Sequence, residues 1–218
     1  MASLVTFPLV LVGWLFSLCL HEFSHALVAY YGGDRSVREK GYLSFNPLKY
    51  MHPVYSILLP MLFLLLGGIG LPGGAVRIET WRLRSKRWES AVALAGPASN
   101  LVLAVLLAIV MHFAPASGGG VWPGLAFLGL LQVMAAVLNL IPVPPFDGYR
   151  AVAPYLAQDV RAQIDGASNL IMLGVFFLLW YVPFVYSILW TVVMGIAGVL
   201  RIPYPLAMTG LSQFQFWR

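Results

Sequence analysis

The sequence predicts an all-α, polytopic membrane protein with a three-helix core, a re-entrant or irregular segment after the first helix and a C-terminal helical hairpin. Three observations lead there. Of its 218 residues, 60% are hydrophobic and only 10% charged, and the mean hydropathy is +0.83, outside the range of water-soluble domains. At roughly 20 apolar residues per crossing, the chain supplies about four to six spans, so residues 1–218 read as one membrane unit. Finally, ionisable side chains sit within or beside the apolar runs, where each costs free energy and needs a reason.

Residues 4–31 read as one long helix ended by Gly32-Gly33. No positive n-region precedes the run, so this first span is expected to stay in the mature protein. A polar connection with Arg35, Arg38, Lys40 and Lys49 follows. The apolar run 53–71 is interrupted by Pro60 and closed by a glycine-rich stretch, 67–74, before a second basic stretch holding Arg77, Arg82, Arg84, Lys86 and Arg87. Residues 91–113 and 121–141 are clear spans joined by a turn at 117–120. Residues 142–166 are polar and proline-rich, and 170–200 is apolar with a break expected near Pro183, giving two short helices within about 168–200. The tail after Arg201 carries no readable role.

The chemistry is concentrated in two places. His21-Glu22-Phe23-Ser24-His25 closes the first apolar run. On a helix, His21 and His25 are four residues apart and share a face, where both imidazoles can reach one metal ion. Glu22 flanks that face and suits a general base acting on a metal-activated water. The second place is Asn139-Leu140-Ile141-Pro142-Val143-Pro144-Pro145-Phe146-Asp147-Gly148. Its prolines hold the backbone extended and Gly148 permits a tight turn, so Asp147 is a plausible third ligand. A catalytic zinc site commonly uses three protein ligands and leaves one position open. By itself the proline-aspartate-glycine run makes an ordinary turn.

Together, His21-Glu22-x-x-His25-Ala26, Ala95-Gly96-Pro97-Ala98-Ser99-Asn100 and Asn139…Pro142-x-Pro144-Pro145-x-Asp147-Gly148 resemble, in order, the motifs of the site-2 protease family of intramembrane zinc metalloproteases. The resemblance implies a catalytic core over about residues 4–150 and one Zn2+ per chain held by His21, His25 and Asp147. It also implies that Glu22 activates water and that Asn139 holds substrate or stabilises the oxyanion. The partners implied are a transmembrane protein or peptide substrate and the bilayer, and the form is a minimal one without PDZ or CBS domain. Phe45-Asn46-Pro47-Leu48 resembles a segment of several relatives but continues as Tyr50-Met51-His52-Pro53, which leaves that loop's role open. His52 reads as an interfacial histidine, with an auxiliary ligand or a gate near the metal as the alternative, His112 as interfacial, and Cys19, about 200° around the helix from His21, as a packing residue.

The three ligands must lie within about 2 Å of one ion, which constrains topology. Spans 4–31 and 121–141 must run parallel, 91–113 antiparallel to both, and residues 32–90 must leave and return on one face. A full crossing by 53–71 would put Asp147 on the wrong side, so that run is expected to re-enter. Every lysine and arginine from Arg35 to Arg161 then shares one face, opposite the N-terminus and the 117–120 turn. The positive-inside rule makes that face cytoplasmic, in a bacterial or archaeal inner membrane. The net charge of +5 therefore orients the chain in a bilayer and implies no nucleic acid partner. The expected function is hydrolysis of a peptide bond in or next to a substrate transmembrane helix. A catalytically inactive scaffold of the same fold, or a membrane metal transporter or sensor, are the competing readings.

Overall fold

The computed structural model describes residues 2–46, 76–115 and 118–217. All regular structure among them is helical. Among the described residues, three helices are long and apolar enough to cross a membrane: α1 (Ala2–Gly32), α3 (Lys86–Met111) and α4 (Trp122–Asn139). Short α2 (Ser36–Glu39) follows α1, and short α5 (Asp147–Val152) follows α4. Next come α6 (Gln158–Gly166), α7 (Ser168–Tyr181), α8 (Pro183–Val199) and α9 (Tyr204–Phe214). Counting the bent pairs α6–α7 and α8–α9 as one span each brings the total to five. The expected break at Pro183 is present: Val182 is extended and Pro183 opens α8, since proline suits a first helical turn and no interior one.

Close contacts set the direction of each core helix. A Cβ on Gly124 would meet Leu9 and Thr6, and one on Gly13 would meet Leu128. Rising numbers in α1 thus face rising numbers in α4, and the two run parallel. Along α3 the order reverses. His25 pairs with Val92 and His21 with Asn100, while Asn100 pairs with Gln132 and Leu107 lies by Gly129. Helix α3 is therefore antiparallel to both, the arrangement expected from the sequence. The polar connections at its two ends do the rest.

The chain between α1 and α3 begins and ends at one place. Asp34, fully buried, accepts hydrogen bonds from Ser36 N (3.1 Å), Ser36 Oγ (2.6 Å) and Glu79 N (2.8 Å). Lys40 Nζ donates to Glu79 Oε1 (2.7 Å), and Arg84 N donates to Gly32 O (3.0 Å). Gly33 has φ +123°, and a Cβ there would crowd the Arg82 carbonyl, so only glycine suits the turn. Residues 32–40 and 76–84 thus lie side by side. The expected re-entry of 53–71, and His52 with it, lies outside the described residues.

The C-terminal tail has a role that its sequence does not advertise. Helix α9 docks against α4 and the start of α1. Phe214 is fully buried and stacks on Phe7 (5.2 Å between ring centroids), Ala207 is fully buried, and Thr6 Oγ1 donates to Gln213 Oε1 (2.7 Å). A side chain on Gly210 would strike the Pro123 carbonyl. By contrast α7 and α8 expose Leu170, Leu173, Phe177, Phe184, Ile188 and Val192, which suits a lipid-facing surface.

Candidate metal centre

Helix α1 delivers His21, Glu22 and His25 on adjoining faces, all buried. Helix α4 ends at Asn139, and the loop that follows turns Asp147 back toward them. That return needs Gly148, where any Cβ would strike the Leu140 carbonyl. The glycine serves close backbone approach there and has no positive φ. Ser90 Oγ, donating to Ala151 O (2.6 Å), ties α5 to the start of α3.

His21 Nε2, His25 Nε2 and Asp147 Oδ2 meet at separations of 3.0 Å between the imidazoles and 3.1 and 3.3 Å to the carboxylate. Ligand atoms around a tetrahedral zinc, with bonds of ~2.0–2.1 Å, lie about 3.3 Å apart. The three side chains also form the one His/Cys/Asp/Glu group among the described residues with metal-binding spacing. The opposite edge of each ring is held. His25 Nδ1 donates to Val92 O (2.6 Å), and a carbonyl can only accept. His21 Nδ1 faces Asn100 Oδ1 (2.6 Å). Protons placed at both Nδ1 positions leave both Nε2 lone pairs aimed at the common centre.

The centre calls for positive charge. Burial pushes the Asp147 carboxyl up, but the charge of His25 and hydrogen bonding with both imidazoles outweigh it and hold the group below the usual carboxylate range. Protons on the imidazoles or a divalent ion would both meet that demand. Room for an ion comes from Gly96. A Cβ there would stand within 2.5 Å of His21 Nε2 and closer still to His25 Nε2. The donor set, its spacing and this glycine cradle all fit zinc.

Glu22 lies on the next face of α1, and its Oε2 accepts from Val76 N (2.9 Å). The segment starting at Val76 therefore crosses beside the glutamate. A cleft of about 560 Å3 opens from His25 and Asp147, bordered by Val76, Arg77, Pro145 and Arg150. Asn139 is buried at the end of α4, where its Nδ2 donates to Ala135 O (3.0 Å). Cys19 is buried and free, in keeping with a packing role. His112 caps the end of α3 against Phe113, far along the helix from His25.

Several contributors went unassigned from sequence. Asn100 stands in the sequence only as part of a resembling motif, and Gln132 as a single amide in an apolar span. A lone amide inside such a span is itself a signal, since it must find a partner there. The Val92 carbonyl and the Val76 amide leave no sequence trace, because any residue supplies them.

The model of peptidase family M50 matches residues 9–118. Over 164 residues the chain is 51% identical to "Putative zinc metalloprotease Rip2" of Mycolicibacterium smegmatis, covering 75% of this chain and 63% of that protein, just under two thirds of its length. It is 43% identical over 215 residues to the protein of the same name from Mycobacterium tuberculosis, covering 97% of this chain and 81% of the relative. To "Putative zinc metalloprotease YwhC" of Bacillus subtilis it is 29% identical over 191 residues, 84% of each chain. No solved structure gives a significant match. With the histidine motif inside the matched region and such identity along nearly the whole chain, this protein belongs to peptidase family M50, the site-2 protease family of zinc metalloproteases.

Proposed function

We propose that the protein is an intramembrane zinc metalloendopeptidase that hydrolyses a peptide bond in or next to a substrate transmembrane helix. The observation that carries this reading is the meeting of His21, His25 and Asp147 at zinc-ligand spacing, with Glu22 beside them, on helices apolar enough to span a bilayer. When bound, zinc supplies a Lewis acid that polarises a carbonyl and acidifies water. The protein's own groups do the rest. His21, His25 and Asp147 would hold the ion, and the Asn100 and Val92 oxygens fix the rings.

Glu22 takes the proton from the attacking water and returns it to the leaving amine. Its hydrogen bond from Val76 N orients one carboxylate oxygen and leaves the other for that proton. Asn139 uses one amide hydrogen on Ala135 O; the second is available for a developing oxyanion. The cleft beside Asp147 admits water and an unwound stretch of substrate. Its basic border supports a cytoplasmic orientation by the positive-inside rule, in a bacterial inner membrane.

Detergent-purified wild type and Glu22→Gln, each loaded with zinc, test the proposal against a model transmembrane peptide. Wild type is expected to cleave, and the variant to bind zinc normally while cleaving at least about 100-fold more slowly. Equal cleavage by the two would remove the role of Glu22. Zinc binding without cleavage by either would favour a scaffold.

A further inference from the structure

The back of the metal site is a chain of amides that continues into the membrane-spanning part of the bundle. Asn100 on α3 places Oδ1 2.6 Å from His21 Nδ1, and its Nδ2 donates to Gln132 Oε1 on α4 at 2.8 Å. Asn100 is 4% exposed and Gln132 is fully buried. Gln132 Nε2 has no hydrogen-bond partner among the described residues. A buried amide with an unmet donor, in a helix where leucine would cost nothing, calls for a function.

Each link follows from the one before. To ligate through Nε2, neutral His21 must carry its proton on Nδ1. Asn100 must then present its oxygen to the ring, because its NH2 would face a donor. With the oxygen so placed, Nδ2 points the other way and needs an acceptor, which Gln132 Oε1 provides. Were Gln132 replaced by an apolar residue, nothing would hold Asn100 in that sense. It could turn over, donate to Nδ1 and favour the His21 tautomer with its proton on Nε2, which cannot bind a metal through the nitrogen that faces the centre.

We propose that Asn100 and Gln132 form an amide relay whose polarity fixes the metal-binding tautomer of His21, making both of them positioning residues of the centre. The proposal rests on the metal-binding part of the function above and not on proteolysis. The relay is also electrically neutral. It orients the imidazole without placing a further negative charge beside the ion, as a carboxylate at the same position would.

The test measures zinc affinity of the purified full chain by competition with a chromophoric chelator, together with the thermal midpoint of the metal-free protein. Gln132→Leu is expected to weaken zinc binding about 10–100-fold, the usual range for losing an outer-shell partner. Its metal-free midpoint should stay close to that of wild type, because the variant removes the unmet Gln132 Nε2 but takes the acceptor from Asn100 Nδ2. Asn100→Leu should weaken zinc binding at least as much. Asn100→Asp should retain affinity within about threefold, since a carboxylate can only accept from Nδ1.

The decisive arm is the double variant. With Asn100→Asp in place, the relay's sense no longer depends on Gln132, so adding Gln132→Leu should cost less than about threefold. Wild-type affinity in Gln132→Leu, or an equal loss in both backgrounds, would overturn the relay while leaving the metal site intact. A wild-type chain that binds no zinc would overturn the metal reading and the relay together, so the two failures are distinguishable.

Discussion

Gly96→Ala adds one methyl group to the wall of the metal centre, and the structure sets the size of the effect. The new carbon would stand 2.5 Å from His21 Nε2, and closer to His25 Nε2. Non-bonded carbon contacts are comfortable near 3.5 Å, so the rings must retreat by about 1 Å. Metal–ligand distances tolerate only about 0.2 Å. Overpacking of this kind typically costs about 1–3 kcal/mol, which as lost metal affinity is about 5- to 150-fold. Chelator competition on the detergent-purified protein reads it directly. Gly174→Ala in α7 and Gly195→Ala in α8 are the controls, since a Cβ at either meets no atom within 4 Å. Neither should alter zinc binding, and each should stabilise its helix by about 0.5–1 kcal/mol. Zinc affinity in Gly96→Ala within twofold of wild type would refute the close approach of α3 to the imidazoles, and with it the geometry of the centre.

Two further outcomes follow from the packing of α9 and from the clasp that Lys40 and Glu79 form between residues 32–40 and 76–84. Phe214→Ala should destabilise the fold in detergent by up to about 3 kcal/mol, the low end for phenylalanine in a core, because lipid solvates a displaced ring almost as well as protein does; an unchanged unfolding midpoint would mean that α9 is not docked. The Glu79 carboxyl is held below its ordinary value of 4.5, first by its hydrogen bond from Lys40 and then by Arg82. A depressed folded-state pKa contributes stability above the unfolded value and loses it as pH falls through the folded one. Wild type should therefore lose more thermal stability than Glu79→Gln on acidification below about pH 4.5, and parallel curves for the two would dismiss the clasp's contribution.

The part of the site that could be read from sequence is the part that obeys helical spacing. His21 and His25 stand one turn apart on α1 whatever surrounds them, and one ion shared with Asp147, a plausible third ligand, demands that spans 4–31 and 121–141 end at the same face. The antiparallel placement of α3 followed from that demand, and the structure has it. Illegible were features created by tertiary approach. Gly96 and Gly148 look like ordinary helix and turn glycines until the atoms that would strike a Cβ are known. Helix α9 could not be assigned because its partners, Thr6 and Phe7, lie some two hundred residues away. The basic stretch near Lys86 precedes the apolar span 91–113, yet Lys86 and Arg87 form the first turn of α3; charge alone does not stop a helix that surfaces at its end.

The joining of residues 32–40 to 76–84 separates two design problems. Asp34, Lys40 and Glu79 fix the two ends of the intervening sequence beside each other, and the cost of such a closure rises only slowly with the number of residues between. The length or sequence between those ends can therefore change while His21, His25 and Asp147 keep their coordinates.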